Sequence, residues 1–464
     1  MSDQIQVSQL PGEPAATTND ATAPPSGIPA AFDRVDWMCF CSTTLVAISV
    51  YLFTLAPNLT LGFSGLMSTA AMYAAVPHPP GYPVWTIYSW LWIKLLPFSN
   101  IAWRVAVGSA FAAAVACGLV AMMVSHQGKI FFCGARTRRL ESRESVALRV
   151  VCGGVAGLVL GFSGAVWHKA LIADIWALSL LLFTGVVFLL TRWMCEPERR
   201  RCLCGAFLLF GLLLTSSQEL IVTLPGLACF VLLVHVRMGR DLCVVVLPLA
   251  LVLTTRTQFG IWLDPYLTHV NGPLLAGFLT VGVLAAVIAL KTRGVGSEWQ
   301  SALLCGLCLL IGVAFYFFVP IAAMTNPPVN FGYARTVDGF EHLLARGQYE
   351  RVRPTADVLS FLNQLWFFLR TAVWEFGWPQ LLIAFLPFVW LRRSDRVNRK
   401  WLLGLLAVFI SAGPLLLAVL NPPLDVHATT LIRPYFAASY TILALCFGFG
   451  LLLIGGCVAR STEK

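Results

Sequence analysis

The chain has 464 residues, 58% of them hydrophobic and only 12% charged, about half the charged share of an ordinary soluble domain. One aqueous globule cannot hide that much apolar surface, so lipid must be the solvent for much of the chain. The net charge of +10 is spread over short basic clusters between apolar runs, the pattern of cytoplasmic loops, which excludes nucleic acid as its reason.

Residues 1–31 are rich in Ala, Pro, Thr, Ser and Asp, with no basic segment leading into an apolar one. This predicts a disordered tail and not a signal peptide. A first span is expected from about Trp37 to Ala56. Basic clusters follow at Lys129 to Arg143, at Arg192 with Arg199 to Arg201, at Arg237 with Arg240, and at Lys291 with Arg293. Others lie at Arg392 to Lys400 and at Arg460 with Lys464. All are placed on the cytoplasmic side. With about 20 apolar residues per crossing, further spans are expected near 104–125, 147–166, 170–191, 202–217, 218–235 and 242–259. The remainder fall near 273–290, 301–321, 364–390, 401–419 and 436–457. The fold class is therefore an all-α integral membrane bundle of about twelve transmembrane helices, with both termini cytoplasmic. Residues 32–464 form one polytopic membrane domain.

Two long segments fall outside: a first loop at 57–103 and a loop at 322–363. Val84 to Phe98 is short for a crossing and carries Lys94, so it is expected to lie at the outer interface as an amphipathic helix. Trp85, Tyr88, Trp90 and Trp92 would then sit at headgroup level. No soluble carboxy-terminal domain is expected after the last span.

The fourteen cysteines lie mostly in apolar runs, where Cys behaves as a small hydrophobe. Cys305 and Cys308 form a CxxC without a second pair, so a metal role is unsupported. The histidines on or near the outer side are His78, His168, His269, His342 and His427. None has metal-ligand spacing, and neither a metal nor another cofactor is called for. The spans are nearly free of ionisable side chains, unlike proton- or ion-coupled pathways, and polar residues concentrate at the outer ends of helices. A site at the outer face is favoured, for a lipid with a polar head.

Within the first loop, His78-Pro79-Pro80-Gly81-Tyr82-Pro83 is the sharpest local signal. Its prolines make a rigid extended turn. It either sets His78 at the mouth of a site or only stops the chain ahead of the interfacial helix. Arg335, Arg346, Arg351 and Arg353 share the second loop, against the positive-inside trend. Guanidinium groups bind phosphate bidentately, so they suit a lipid-phosphate head, or else form a solvated face against anionic lipids. Lys169 and Arg433 are further phosphate candidates at outer helix ends. The outer acids include Asp174, Asp264, Asp338, Glu341, Glu350, Asp357, Glu375 and Asp425, with Glu219 near a helix boundary. Asp174 is either a general base or a carboxylate stabilising a helix start.

Several segments together resemble a bacterial multi-pass membrane family related to the transmembrane O-mannosyltransferase of the secretory pathway. They are Leu55-Ala56-Pro57-Asn58-Leu59-Thr60, Gly62-Phe63-Ser64-Gly65, His78 to Pro83, Trp103-Arg104 and Ala173-Asp174-Ile175-Trp176-Ala177-Leu178. Asn326-Pro327-Pro328-Val329-Asn330-Phe331-Gly332 and Arg346-Gly347-Gln348-Tyr349 follow in the same order, so the resemblance runs over most of residues 37–380. It implies a GT-C glycosyltransferase fold, a polyprenyl-phosphate sugar donor of the mannose type, a protein or glycan acceptor, and a bacterial inner membrane. On this reading His78 or Asp174 is the surviving acid–base candidate, Arg335, Arg346, Lys169 and Arg433 are candidates for the donor phosphate, and Phe63, Ser64, Pro79, Pro80, Tyr82, Asn330 and Tyr349 form a candidate substrate-site loop. The chain departs from the family pattern at Phe63 and Leu66, where acids are usual, and at Ser216-Ser217, where Asn-His is usual. Alternative readings are a non-catalytic relative that binds a lipid-linked sugar or scaffolds an envelope enzyme, and a lipid-linked glycan flippase.

Overall fold

A computed structural model describes residues 32–133, 143–254, 272–292, 296–349 and 353–462. The expected amino-terminal tail, Asp264, His269, Glu350, Arg351 and residues 134–142 of the Lys129-to-Arg143 basic cluster lie outside the described residues. Helices dominate, and the sole β pairing among the described residues is the isolated bridge between Val76 and Asn330.

The first helix, Arg34–Thr54, begins with a capping box in which the Asp36 amide donates to Asp33 Oδ1 at 2.9 Å and the Asp33 amide to Asp36 Oδ2 at 3.0 Å. Two of the helix's orphan amides are thereby satisfied. The fully buried Asp36 carboxylate also accepts from Ser125 Oγ at 2.6 Å and Arg149 Nη2 at 2.9 Å, and it meets His126 Nδ1 at 3.2 Å. This network locks the first helix to Ile101–Cys133 and Arg143–Gly161. The latter two approach closely because Arg143–Gly161 presents Gly153, Gly157 and Gly161 at four-residue spacing. A Cβ at Gly157 would lie 2.4 Å from the Cys117 carbonyl oxygen, and one at Gly153 would lie 2.6 Å from that of Ala121. Small residues at this spacing let backbones touch where no hydrophobic effect drives association.

Among the described residues, eight helices are long and apolar enough to cross a membrane, or nine if the bent pair Val358–Phe376 and Trp378–Val389 is one span. That pair turns by 109° at Gly377, whose φ is +82°. The class is the expected all-α membrane bundle, and three of the expected stretches are not among these candidates. The stretch at 202–217 is the 17-residue helix Arg200–Ser216. That at 218–235 opens as a 3-10 turn, Gln218–Thr223, before Leu224–Val234. The described part of the stretch at 242–259 falls on Val236–Thr254, which carries Arg237, Arg240 and Asp241 and a proline at 248, and residues 255–259 lie outside the described residues. These helices pack largely against protein, with Phe207, Phe210, Phe230 and Leu242 buried. Large apolar side chains such as Phe53, Leu290 and Trp374 are exposed, as lipid-facing residues must be.

The first loop does contain the expected helix, Pro83–Leu95, and it is not among the candidate spans. Trp85 corrects the headgroup expectation: it is 1% exposed, and its indole Nε1 donates to the Asp174 carbonyl at 2.9 Å. Tyr88 likewise donates to the Gly108 carbonyl at 2.7 Å. An indole inside a bundle needs such an acceptor. The loop helix is thus fastened to the helical core through its aromatic polar tips.

Candidate functional site

The His78-to-Pro83 turn closes on itself, the Gly81 amide donating to the His78 carbonyl at 2.7 Å. Gly81 has φ +103°, and a Cβ there would lie 2.9 Å from Val319 Cγ2. Glycine is required by both conformation and space. The turn is clamped between the helices Phe318–Met324 and Val337–Leu344, Leu343 being the next neighbour of that Cβ. Val76, just before the turn, bridges Asn330, and the Phe331 amide donates to the Val76 carbonyl at 3.2 Å. The 57–103 and 322–363 loops are thus tied together, which chain order alone does not require.

His78 sits at this junction. Its Nδ1 donates to the Pro79 carbonyl at 2.8 Å, which leaves Nε2 as the acceptor of the Tyr349 hydroxyl at 2.6 Å. In the neutral ring, which burial favours, the Nδ1 bond places the proton on Nδ1. Burial lowers the His78 pKa from its ordinary value, opposed by the Pro79 carbonyl and assisted by the Arg346 charge. Rings of Tyr349, Tyr82, Phe331 and Phe63 surround it, Phe63 edge-on at 5.3 Å.

Arg346 is half-buried behind this ring cluster and has φ +52°. Its Nη2 donates to the Tyr82 hydroxyl at 3.2 Å, Tyr435 is in polar contact with it, and its Nε has no partner. Burial works against its charge, but Tyr82, Tyr435, Glu219 and Tyr316 outweigh it and hold its pKa above the ordinary value. Burial in turn pushes the Tyr82 hydroxyl pKa up. Five segments distant in sequence therefore converge on one guanidinium: the first loop, the 3-10 turn at Glu219, the helix end at Tyr316, the second loop and the segment at Tyr435.

An apolar cavity of about 470 Å³ adjoins this cluster. Leu214, Ile221, Val313 and Phe317 are among its walls, and Gln218, Thr254 and Tyr316 are its polar residues. Gln218 Nε2 donates to the Leu344 carbonyl at 3.3 Å, and Tyr316 donates to the Leu214 carbonyl at 3.1 Å.

The other expected residues have more local surroundings. Ser64 bonds within its own turn, donating to the Thr60 carbonyl at 2.6 Å and accepting from the Thr60 amide at 2.9 Å. Phe63, where the related pattern has an acid, is 62% exposed. Pro79 and Pro80 are buried in the turn. Asn330 Nδ2 and Arg335 Nε both donate to the Ala323 carbonyl, at 3.3 and 2.9 Å, and Arg335 lies over the Tyr333 ring. Asp174 forms an ion pair of 2.6 Å with Lys169, and its Oδ1 accepts from the Ile175 amide at the start of Trp176–Cys195. Asp174 lies in the electrostatic surroundings of Tyr82 and Tyr435. Arg433 is exposed, two residues from Tyr435.

Several of the acids expected on the outer side prove to be helix-end ligands. Asp357 accepts from the Ser360 amide, Asp425 from the Ala428 amide, and Glu375 from the Ala165 amide. Glu219, Gln218, Tyr316 and Tyr435 were not singled out as site residues by sequence reasoning. Glu219 had a signal, since an acid inside a long apolar stretch is a functional-site indication in a membrane bundle. The tyrosines had none.

An all-α membrane protein with an aromatic-walled arginine site beside an apolar cavity is the class defined by fold and geometry. Residues 64–239 match the family model described as Protein O-mannosyl-transferase TMEM260 N-terminal domain. A 148-residue stretch is 32% identical to Protein O-mannosyl-transferase TMEM260 of Mus musculus, covering 31% of this chain and 18% of that relative's length. These matches relate the chain to the transmembrane O-mannosyltransferase family. The matched family region holds His78, Tyr82, Asp174 and Glu219, whereas Tyr316, Arg346, Tyr349 and Tyr435 come from the chain beyond it.

Proposed function

We propose that the protein is a GT-C-type membrane glycosyltransferase that transfers a mannose-type sugar from a polyprenyl phosphate, at the outer membrane face, to a protein or envelope acceptor. The observation that carries this reading is the half-buried Arg346, with a free Nε and tyrosine partners, one of whose electrostatic neighbours, Tyr316, lines an apolar cavity. A charged fork suits phosphate, and the apolar walls suit an isoprenoid tail. In this reading Arg346 holds the phosphate, with Arg335, Lys169 and Arg433 strengthening the local positive field. Phe63, Tyr82, Asn330 and Tyr349 wall the sugar end.

The acceptor hydroxyl attacks the anomeric carbon, the bond from that carbon to the phosphate oxygen breaks, and polyprenyl phosphate departs. His78 Nε2 takes the acceptor proton, with the Tyr349 hydroxyl as its relay, because the Nδ1 proton is already engaged by Pro79. Asp174 is the alternative base, less available because Lys169 is paired with it. The test is transfer from radiolabelled polyprenyl-phosphate mannose by purified protein in lipid, with envelope extract as acceptor. Turnover abolished by His78→Ala supports the assignment, and turnover unaffected by both His78→Ala and Asp174→Asn refutes it.

One observation favours a second reading, a non-catalytic binder of lipid-linked sugar. The position where the related pattern carries an acid is Phe63, whose ring covers His78. Donor binding without turnover in the same assay selects that reading.

A further inference from the structure

Glu219 has no part in the chemistry above, yet its place in the fold is unusual. It is 1% exposed, and its Oε2 has no hydrogen-bond partner. Ser217 stands beside its carboxylate. It lies in the electrostatic surroundings of Arg346, Tyr82, Tyr316 and Tyr435. Among the described residues, however, no ion pair within 4.0 Å joins it to Arg346 or to any other base. A purely structural carboxylate at this depth would be paired, as Asp36 is with Arg149, because leaving a buried charge uncompensated is expensive. The neighbouring Gln218 side chain repeats the pattern, its buried Oε1 also lacking a partner. Two adjacent acceptors and the Arg346 Nε donor are therefore unengaged around one cluster of tyrosines.

We infer that Glu219 reads the sugar of the lipid-linked donor, accepting hydrogen bonds from its hydroxyls while Arg346 holds the phosphate. The complementarity is chemical. Sugar hydroxyls are donors that match Glu219 Oε2 and Gln218 Oε1, and a phosphate oxygen is an acceptor that matches Arg346 Nε. An alkyl phosphate supplies only the second half, so Glu219 confers preference for the glycosylated lipid over the same lipid phosphate without sugar. The inference rests on the donor reading above.

The experiment compares binding of polyprenyl phosphate and polyprenyl-phosphate mannose of equal tail length to the full chain in lipid nanodiscs. Wild type, Glu219→Gln and Glu219→Asp are used, each checked for monodispersity and thermal midpoint. The wild type is expected to prefer the mannosylated lipid. Glu219→Gln should lose that preference by about tenfold or more, as expected for loss of charge-assisted hydrogen bonds, while its affinity for polyprenyl phosphate stays within about twofold. Glu219→Asp, which keeps the carboxylate, should retain part of the preference. Unchanged preference in Glu219→Gln overturns the inference and leaves the donor reading standing. Equal weakening toward both lipids also overturns it, by assigning Glu219 to the fold or to Arg346. A wild type that binds neither lipid overturns the donor reading and this inference with it.

Discussion

Replacing Arg346 is the perturbation with the clearest arithmetic. In the protein its guanidinium meets the hydroxyls of Tyr82 and Tyr435, with the buried Glu219 carboxylate nearby. Truncation to alanine removes the guanidinium's hydrogen bond to Tyr82, which has a charged donor and is worth about 1.5–3 kcal/mol of stability. The fold should survive with a lowered thermal midpoint. Donor binding should fall by a comparable energy, about 1.5–3 kcal/mol for the hydrogen bond to phosphate. At about 1.4 kcal/mol per decade of affinity, that is roughly 10- to 100-fold weaker binding of polyprenyl phosphate. Arg346→Lys keeps a point charge but not the planar fork, so it should fall between wild type and alanine. Arg353→Ala is the matched control, since Arg353 is exposed in the same loop. Affinities are best read by titrating a fluorescent polyprenyl phosphate into nanodisc-embedded protein, with unfolding followed in parallel. Alanine binding as tightly as wild type, with the fold intact, would refute the phosphate assignment. Equal losses in Arg346→Ala and Arg353→Ala would show instead that only the loop's overall charge matters.

The remaining predictions test the surroundings. If His78 is the base, activity should persist below its ordinary pKa of 6.5 before falling, because burial and Arg346 favour the neutral ring. The acid limb of the rate profile should move up toward 6.5 in Arg346→Lys only if the Lys ammonium is farther from the ring, and more so in Arg346→Ala. An acid limb above 6.5 in the wild type would exclude His78 as the titrating group. The same linkage acts on stability: a His whose folded pKa is depressed contributes fully above its unfolded pKa, and that contribution is lost as pH falls toward the folded value. Gly81→Ala should destabilise by about 1 kcal/mol or more through its positive φ and displace Val319, and it should impair binding without touching any donor ligand. A neutral effect on both would break the clamp argument. Arg149→Ala should lower stability by about 3–5 kcal/mol, since it leaves the fully buried Asp36 short of its base; thermal unfolding in detergent measures this, and a change under about 1 kcal/mol would contradict the network.

The membrane class was legible in the chain because it depends on composition alone. A chain this apolar needs lipid as solvent, and helices are the way such a backbone satisfies itself there. The position of most spans was legible too, since apolar runs and basic clusters are local signals. Which of the shorter apolar stretches cross was not, because Arg200–Ser216 and Gln218–Val234 are shorter or broken helices that neighbouring helices cover, and hydropathy does not distinguish protein from lipid as an apolar surrounding. Likewise the first-loop helix was legible, but Trp85 turning inward onto the Asp174 carbonyl was not. Its amphipathic character is the same whichever apolar phase receives the indole.

For the site, local sequence determined the pieces: a proline-clamped turn at His78, arginines where positive charge is unexpected, and an acid at Asp174. Only the tertiary structure decided which pieces meet. It brought Tyr349 to His78 and Tyr82 to Arg346 across separations of 271 and 264 residues, engaged Asp357, Asp425 and Glu375 at helix ends, and left Glu219 buried with an unpartnered oxygen. The physical reason is that charge, conformational restriction and hydrophobicity belong to residues, whereas hydrogen-bond partnership and burial belong to pairs. Pairs this far apart in the chain are chosen by how the helices pack.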